Sequence, residues 1–319
     1  MVLDKVDRDI LFELEKDSSI PANLLAKKLK KSKDVIAYRI NRLKNENVLR
    51  SCTAIVDMTR LGYIIFRIYI RWQNITENMK KDFYKFLNKN ETVWTTAILH
   101  GKWDLAIFVG LTNETYIKDF HSFWSDILGK HKDKIAEHKI AVYAPVYNFN
   151  KRFLSDSKEI ITRSYGEGSS APHDDTDIKI IYAFSTDVRQ SLLDIASKVK
   201  MSVETVRRRI LELEKKKVIV GYKIDLNLPK LGYQGYRVDF ALNSTSRNEE
   251  LFNYIKHHKY FYQINKSIGG ADLETEIVVK DLPHLLEILE EVVSRFKDVI
   301  KNYEYMGYID FPKLSIVSD

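Results

Sequence analysis

The chain has 319 residues, of which 45% are hydrophobic and 30% charged, a length and composition typical of a globular protein with two or more domains. No stretch approaches the roughly 18 consecutive apolar residues of a membrane span, and the single cysteine, Cys52, excludes an intrachain disulfide and a cysteine-based metal cluster. The net charge of +7 permits a nucleic-acid partner. Because the N-terminus lacks the apolar core of a signal peptide, a cytoplasmic location is expected.

Helical spacing of apolar residues predicts three short helices near the start of the chain. The positions expected to face inward are Ile10, Leu11 and Leu14 in the first helix, Leu24, Leu25 and Leu29 in the second, and Ile36, Ile40 and Leu43 in the third. Pro21 suits the start of the second helix, and Ser32 suits the N-cap of the third. The pattern predicts a helix-turn-helix module over residues 1–52, with a wing strand around Thr53–Val56.

Basic residues are concentrated in this module. Between Ile20 and Arg50, nine lysine and arginine residues stand against two acidic residues, a local net charge of +7. A charge run by itself indicates only a solvated surface. Its coincidence with a helix-turn-helix pattern favours double-stranded DNA as the partner.

The next segment, residues 53–150, alternates between strand and helix patterns. The expected elements are Tyr63–Trp72, Glu77–Leu87, Val93–Leu99, Leu105–Leu111, Tyr116–Leu128 and Ile135–Tyr143. Their order, β-α-β-β-α-β, is that of a ferredoxin-like domain.

The whole unit recurs 170 positions later. A segment rich in Gly, Ser and Pro at 151–174 predicts a flexible linker, followed by a second winged helix-turn-helix at 175–222 and a second ferredoxin-like domain at 223–319. The strand and helix patterns of that domain lie at Tyr233–Leu242, Glu249–His258, Phe261–Ile268, Leu273–Val279, Leu282–Phe296 and Val299–Tyr308. The sequence thus predicts an α+β tandem repeat, a covalent pseudo-dimer.

The third helix of each module is the candidate recognition helix. The residues predicted to bind DNA are Ser32, Lys33, Tyr38, Arg39, Asn41 and Arg42 in the first copy and Ser202, Thr205, Arg207, Arg208 and Arg209 in the second. Arginine and asparagine side chains suit guanine, adenine or phosphate. Because the two helices differ in their outward residues, an asymmetric DNA site, or one strong and one weak half-site, is expected.

Each ferredoxin-like domain carries a glycine–aspartate turn between its second and third strands. Effector binding is considered at Gly101 and Asp104 in the first turn and at Gly269, Gly270 and Asp272 in the second. Ordinary hairpin chemistry explains such turns equally well. No catalytic or metal-binding motif stands out, and no cofactor is predicted.

In its motifs and their order, the chain resembles the Lrp/AsnC family of transcription regulators, twice over. The motifs are Asp7-Arg-Asp-Ile-Leu11, an alanine in helix two (Ala26, Ala196), the triplets Ser32, Arg39, Leu43 and Ser202, Arg209, Leu213, the pairs Val48-Leu49 and Val218-Ile219, and the Gly-x-x-Asp turns. The resemblance implies a DNA-binding regulator that associates into homo-oligomers through its ferredoxin-like domains and responds to an amino acid or related small molecule.

Two alternatives remain open from the sequence. Siroheme decarboxylases share this two-domain architecture, although only His100 survives here as a plausible acid. A non-specific architectural protein that coats DNA would equally use the lysine-rich helix-two region.

Overall fold

The structure is a computed structural model that describes residues 3–112 and 114–314. It begins with a three-helix module formed by α1 (Lys5–Lys16), α2 (Ala22–Leu29) and α3 (Lys33–Asn45). The wing strand β1 (Leu49–Val56) follows. Within the described residues, no helix is long and apolar enough to cross a membrane.

The first ferredoxin-like half follows in the predicted order. Its elements are β2 (Tyr63–Trp72), α4 (Glu77–Lys89), β3 (Val93–Gly101), β4 (Leu105–Thr112), α5 (Tyr116–His131) and β5 (Ile135–Phe149). A short strand, β6 (Thr162–Tyr165), lies in the segment before the second module.

The second copy repeats both parts. Its helix-turn-helix module contains α6 (Asp175–Ser185), α7 (Leu192–Val199), α8 (Val203–Lys215) and the wing strand β7 (Ile219–Leu226). Its ferredoxin-like half contains β8 (Gln234–Leu242), α9 (Asn248–His257), β9 (Phe261–Ile268), β10 (Leu273–Val279), α10 (Leu282–Arg295) and β11 (Ile300–Leu314).

The two helix-turn-helix modules form one body because their wing strands pair. β1 runs antiparallel to β7, and Thr53 stands opposite Lys223, its own counterpart in the repeat. A pseudo-two-fold axis therefore passes between these two residues. Most predicted core positions are buried, Leu29, Leu192 and Val199 are partly buried, and Leu24 is 52% exposed. The prediction for Leu24 was wrong because Leu25 and Ala26 form the inward face of the short helix α2.

The strands of the two ferredoxin-like halves close into one ring. In the described part of the chain the order is β2-β4-β3-β11-β8-β10-β9-β5, and β5 also pairs with β2, which closes eight antiparallel strands. The halves meet at two equivalent junctions, β3–β11 and β9–β5. The sheet pairing that two separate chains would make is therefore made here inside a single chain.

The outside of the ring is covered by helices and the inside is partly polar. Phe83 of α4 and Phe123 of α5 pack on the apolar outer face of the first half, and Leu251 of α9 and Leu289 of α10 do so on the second. Side chains alternate between the faces of a strand. The opposite, inner face therefore carries a different set of residues, including the fully buried Arg67.

A buried ion-pair triad joins the halves across the ring. Arg67 on β2 and its repeat counterpart Arg237 on β8 each approach one carboxylate oxygen of Glu274 at 2.5 Å. Glu274 Oε1 also accepts hydrogen bonds from Ser267 Oγ at 2.7 Å and from the Ala271 amide at 3.1 Å. Burial opposes ionisation of Glu274, but the charges of Arg237 and Arg67 outweigh it and lower its pKa to about 2.

The segment expected to be a flexible linker is partly packed. Strand β6 pairs with the end of β5. Arg163 in β6 is buried, and its Nη2 donates to the carbonyl oxygens of Glu15 at 2.5 Å and Lys16 at 2.7 Å. These carbonyls belong to the last turn of α1, where a cation is favourable. The side chain of Arg163 thereby holds the segment against the first module.

The triad predicts a large cost for removing its carboxylate. Glu274→Gln should lower the free energy of unfolding by about 3–5 kcal/mol, because two buried guanidinium groups lose their shared counter-charge. Chemical denaturation of the full-length protein measures this change. Glu212→Gln is the matched control, because the exposed Arg208–Glu212 pair contributes at most about 1 kcal/mol.

The stability cost of Glu274→Gln should depend on pH. Because the folded pKa of Glu274 is depressed, its contribution is present above the ordinary pKa of 4.5 and is lost as pH falls towards about 2. The stability difference between wild type and Glu274→Gln should therefore shrink over that acid range. A difference independent of pH between 6 and about 2 would contradict an ionised Glu274.

Candidate functional site

The two recognition helices, α3 and α8, start in the same way. Ser32 Oγ accepts from the Val35 amide at 3.2 Å, and Ser202 Oγ accepts from the Thr205 amide at 3.1 Å. Each serine, predicted to contact DNA, therefore caps its helix. Ser202 Oγ is also 2.8 Å from the Thr205 hydroxyl, which engages this second predicted residue.

The turn before each recognition helix uses a strained lysine. Lys30 and Lys200 end α2 and α7 in the left-handed conformation, with φ of 53° and 55°. Glycine normally occupies such a position because it lacks the steric penalty of a Cβ. Lysine instead places a positive charge beside the start of the recognition helix in both modules.

Four of the predicted DNA-binding residues project without protein partners. Lys33, Tyr38, Asn41 and Arg207 are exposed, and no described residue forms an ion pair, hydrogen bond or ring contact with their side chains. Tyr38 is 67% exposed, which is unusual for a large aromatic side chain. These residues are available to a partner at no cost in intramolecular contacts.

Arg39 and Arg209, both predicted to bind DNA, form ion pairs with carboxylates of their own module. Arg39 Nη1 lies 2.6 Å from Asp4 Oδ2 and 2.9 Å from the buried Asp7 Oδ1. Arg209 Nη1 repeats these contacts with Asp174 at 2.7 Å and Asp177 at 3.0 Å. In each module the arginine therefore ties the recognition helix to the N-terminus of the first helix.

The hydrogen bond from the guanidinium also affects acidity. It lowers the pKa of Asp4, and the bond from Arg209 does the same for Asp174. Asp4 and Asp174 were missed by the sequence reasoning. The signal was present, because each begins an Asp-x-x-Asp capping box 35 residues before its arginine.

Two further predicted arginines are engaged by carboxylates. Arg42 Nη2 is 2.6 Å from Asp7 Oδ2, and Arg208 Nη1 is 2.7 Å from Glu212 Oε1. The Arg208 pair is exposed and screened by water, so this arginine can exchange its partner for a phosphate or base.

The outward surfaces of α3 and α8 differ in chemistry. Tyr38 and Asn41 of the first helix correspond to Arg208 and Leu211 of the second, 170 positions later. Leu211 is 58% exposed and so presents an apolar surface where α3 presents an amide. The inward positions, by contrast, remain apolar in both helices. The pseudo-two-fold axis thus relates two modules of the same fold with different surfaces.

The glycine turns of the ferredoxin-like halves lie at the junctions of the ring. Gly101 has φ of +109°, and a Cβ there would stand 2.7 Å from the Tyr305 carbonyl oxygen of the other half. Gly269 has φ of +80°, and its Cβ would stand 2.9 Å from the Ile140 carbonyl oxygen. Both glycines therefore allow the backbones of the two halves to approach.

The remaining residues of these turns also have structural contacts. Asp104 accepts from the Trp72 amide and Asp272 from the Leu242 amide, each at 2.8 Å, which closes the ends of β2 and β8. A Cβ at Gly270 would meet the carboxylate of Glu274 at 2.1 Å. Gly101, Asp104, Gly269 and Asp272 thus have roles in joining strands, and Gly270 leaves space for the side chains of Ser267 and Glu274.

His100 does not face the interior of the ring. It follows Leu99, which belongs to the inner cluster with Tyr69 and Trp103, so alternation places His100 on the outer face. Its ring lies edge-on to Tyr236 at 5.7 Å. Within the described residues, no group of three or more His, Cys, Asp or Glu side chains is arranged to hold a metal ion.

Both helix-turn-helix modules match known protein families. Residues 174–214 match the AsnC-type helix-turn-helix domain, and residues 3–50 match a winged helix-turn-helix DNA-binding domain. The chain is 27% identical over 128 residues to the HTH-type transcriptional regulator LrpA of Pyrococcus horikoshii, covering 40% of this chain and 91% of that protein. It is 31% identical over 114 residues to an uncharacterized HTH-type transcriptional regulator of Pyrococcus abyssi, covering 35% and 75%.

The chain belongs to the Lrp/AsnC family of transcriptional regulators. The predicted fold class, a tandem repeat of winged helix-turn-helix and ferredoxin-like parts, is confirmed. A solved siroheme decarboxylase, NirDL, superimposes on 98% of this Lrp/AsnC chain and 93% of its own with a TM-score of 0.64. At 14% identity this likeness concerns the fold alone.

The arginine contacts predict that two neighbouring side chains of α8 act differently. Arg207→Ala should weaken DNA binding about tenfold and lower the salt slope by about 1, because a free cation is lost. Its melting temperature should stay unchanged. Arg209→Ala should instead lower the melting temperature, because α8 loses its link to α6. Calorimetry measures the melting temperatures and fluorescence anisotropy the DNA affinities. A lowered melting temperature in Arg207→Ala together with an unchanged one in Arg209→Ala would disprove the contrast.

The junction geometry predicts a second contrast, between two glycines. Gly101→Ala should destabilise the protein by about 1–3 kcal/mol, because the new Cβ meets a carbonyl oxygen and the backbone has positive φ. Gly129→Ala is the control, since Gly129 lies in α5 with nothing within 4 Å of a Cβ. It should stabilise by about 0.5–1 kcal/mol. Thermal unfolding measures both, and equal effects would contradict the junction role.

Proposed function

We propose that the protein is a sequence-specific DNA-binding regulator in which one chain presents two unlike recognition helices to double-stranded DNA. The DNA-reading parts are 1–52 and 175–222, and the ferredoxin-like parts are 53–150 and 223–319. The observation that carries the proposal is the pairing of β1 with β7, which relates α3 and α8 by a pseudo-two-fold axis. Dimeric helix-turn-helix proteins bind paired half-sites with this symmetry.

The side chains support different base preferences in the two half-sites. Asn41 on α3 has the amide that pairs with adenine, and Tyr38 offers a hydroxyl and a ring. On α8, Arg207 and Arg208 match guanine or phosphate, and Leu211 matches the methyl group of thymine. Lys33 supplies a phosphate contact at the start of α3. We therefore expect an operator whose half-sites differ in sequence.

In this proposal the ferredoxin-like halves bind a small-molecule effector and mediate association between chains. Their strand edges at both junctions are already paired inside the chain. Association between chains therefore uses their outer surfaces, where Ile117 is 70% and Ile309 is 62% exposed. The effector is an amino acid or a related small molecule.

The test is DNA affinity for selected and random duplexes across a range of salt concentrations. A site recovered from genome-wide mapping should bind at least about a thousandfold more tightly than random DNA at physiological salt. A ratio near one would instead support an architectural protein. Exchanging the two half-sites for two copies of either one should weaken binding, because each recognition helix then meets one wrong half-site.

The whole-chain likeness to a siroheme decarboxylase favours a second candidate, an enzyme acting on a tetrapyrrole. Against it, the one histidine that the sequence offers as an acid, His100, lies on the outer face of the ring. Mixing the protein with siroheme tests the alternative. A haem-like absorbance change followed by loss of carbon dioxide would support the enzyme, and an unchanged spectrum would exclude it.

A further inference from the structure

We propose that the interior of the strand ring, named here the inner chamber, binds a small aromatic carboxylate. The inner chamber is lined by Tyr143, Tyr262, Glu276 and Tyr308, and it lies inside the ring rather than at the glycine turns. The inference rests on the proposed regulatory function, since it names the chemical class of the effector.

Partial exposure on the inner face indicates enclosed space. Tyr143 on β5, Glu276 on β10 and Tyr308 on β11 project inward, yet all three remain only half-buried. Inside a closed ring, a side chain keeps accessible surface only where the walls leave room beside it. Burial also raises the pKa of Tyr143 and Tyr308 above the ordinary range. These phenols are surrounded by protein without being packed tightly against it.

Arg67 provides donors that the protein itself does not use. Its side chain is fully buried, and its Nε and Nη1 atoms have no hydrogen-bond partner among the residues described. The Nδ2 atom of the buried Asn265 is unpaired in the same way. Buried donors are nearly always satisfied in folded proteins, so these atoms favour a bound acceptor. An acceptor reaches the guanidinium of Arg67 when the Tyr143 ring, whose centre lies 5.1 Å from the guanidinium carbon, turns aside. A carboxylate is the acceptor that matches a guanidinium group best.

The surroundings of Arg67 select an aromatic ligand. Its guanidinium carbon lies 5.0 Å from the ring centre of Tyr69 and 5.1 Å from that of Tyr143. Phe108 meets Tyr143 edge-on, with ring centres 5.7 Å apart. Aromatic faces and edges are the surfaces against which a further flat ring packs. Aromatic walls with a few convergent polar groups are the usual composition of a small-molecule site.

Glu276 fixes the orientation of two hydroxyl groups in the inner chamber. It accepts from the Tyr262 hydroxyl at 2.7 Å and from the Tyr308 hydroxyl at 3.3 Å. Gln263 Nε2 donates to the same carboxylate at 3.2 Å. The chamber is therefore polarised, with guanidinium donors from Arg67 at one part and a carboxylate at another. A ligand carrying a single carboxylate has one preferred direction of entry.

The inner chamber also reaches the DNA-binding modules. Lys223 lies on β7, opposite Thr53 at the pseudo-two-fold axis. Lys151 lies over the Tyr262 ring of the inner chamber, with its Nζ 5.5 Å from the ring centre, and donates to the Ile224 carbonyl oxygen on β7 at 3.3 Å. A bound ligand would therefore lie close to the strand pair that sets the relation between α3 and α8. Through that contact, occupancy of the chamber changes affinity for DNA.

Calorimetric titration of the full-length protein tests the proposal directly. The probes are phenylacetate, phenylpyruvate, indole-3-acetate and L-phenylalanine, with phenylacetamide as the uncharged counterpart. At least one carboxylate should bind, and phenylacetamide should bind at least about tenfold more weakly than phenylacetate, because it cannot pair with Arg67. Trp103 stacks on Tyr69 at 5.7 Å, so its fluorescence gives an independent readout.

Two conservative variants locate the site. Arg67→Lys retains the charge but loses the planar donors, and it should weaken binding of the carboxylate at least about tenfold. Tyr308→Phe should weaken it a few-fold through the loss of one hydroxyl. Arg247→Lys and Tyr254→Phe are the matched controls, because Arg247 is the N-cap of α9, Tyr254 lies within α9, and this helix is outside the ring. Both controls should bind as wild type does.

The outcomes separate this inference from the proposed function. Binding that is weakened in both ring variants and unchanged in both controls supports the inner chamber. Failure of all four carboxylates to bind overturns it, as does binding that Arg67→Lys and Tyr308→Phe leave unchanged. DNA affinity measured without any probe tests the proposed regulatory function separately. Specific DNA binding without binding of any probe would overturn the inner chamber and leave the regulatory function standing.

Discussion

Backbone hydrogen bonding between the two halves of the chain is the constraint on which the rest of the structure depends. Among the described residues β1 pairs with β7 alone, and β3 and β9 would be open edges without β11 and β5. Unpaired strand edges are prone to aggregation and must be covered. The duplication supplies that cover within one molecule. The orientation of the recognition helices, the enclosure of Arg67 and the packing of Arg163 all follow from it.

This covalent pairing separates the roles of neighbouring residues on each recognition helix. Arg39 and Arg209 keep the same contacts in both modules, because each must fix its helix on an Asp-x-x-Asp cap. The residues one position earlier, Tyr38 and Arg208, do not make these contacts, and they are different amino acids in the two modules. In a dimer of identical chains any change on the outward face appears twice. Here each reading surface changes alone, while the packing beneath it stays the same.

The sequence predicted what depends on local periodicity and missed what depends on the partner half. Ile36 and Ile40 were assigned correctly because helical spacing reports the buried face. Strands β5 and β11 extend several residues beyond their predicted ends, because their outer parts pair with β9 and β3 of the other half. No local pattern contains that pairing. Arg39 was predicted to contact DNA, and its charge is shared with Asp4 and Asp7 of the same module, a pairing that the Asp-x-x-Asp spacing could have indicated.

The inner charges make the two halves non-interchangeable. Glu274 and Glu276 of β10 occupy the positions held by Ala106 and Phe108 on β4. Two first halves brought together would enclose two copies of Arg67 with neither carboxylate opposite them, and two second halves would enclose an excess of carboxylates. Only the pairing of a first half with a second half brings buried arginines and carboxylates together so that their charges offset each other. In a cell that also contains relatives with a single copy of the unit, these charges disfavour exchange of halves between the proteins. The two different recognition helices therefore stay in one molecule.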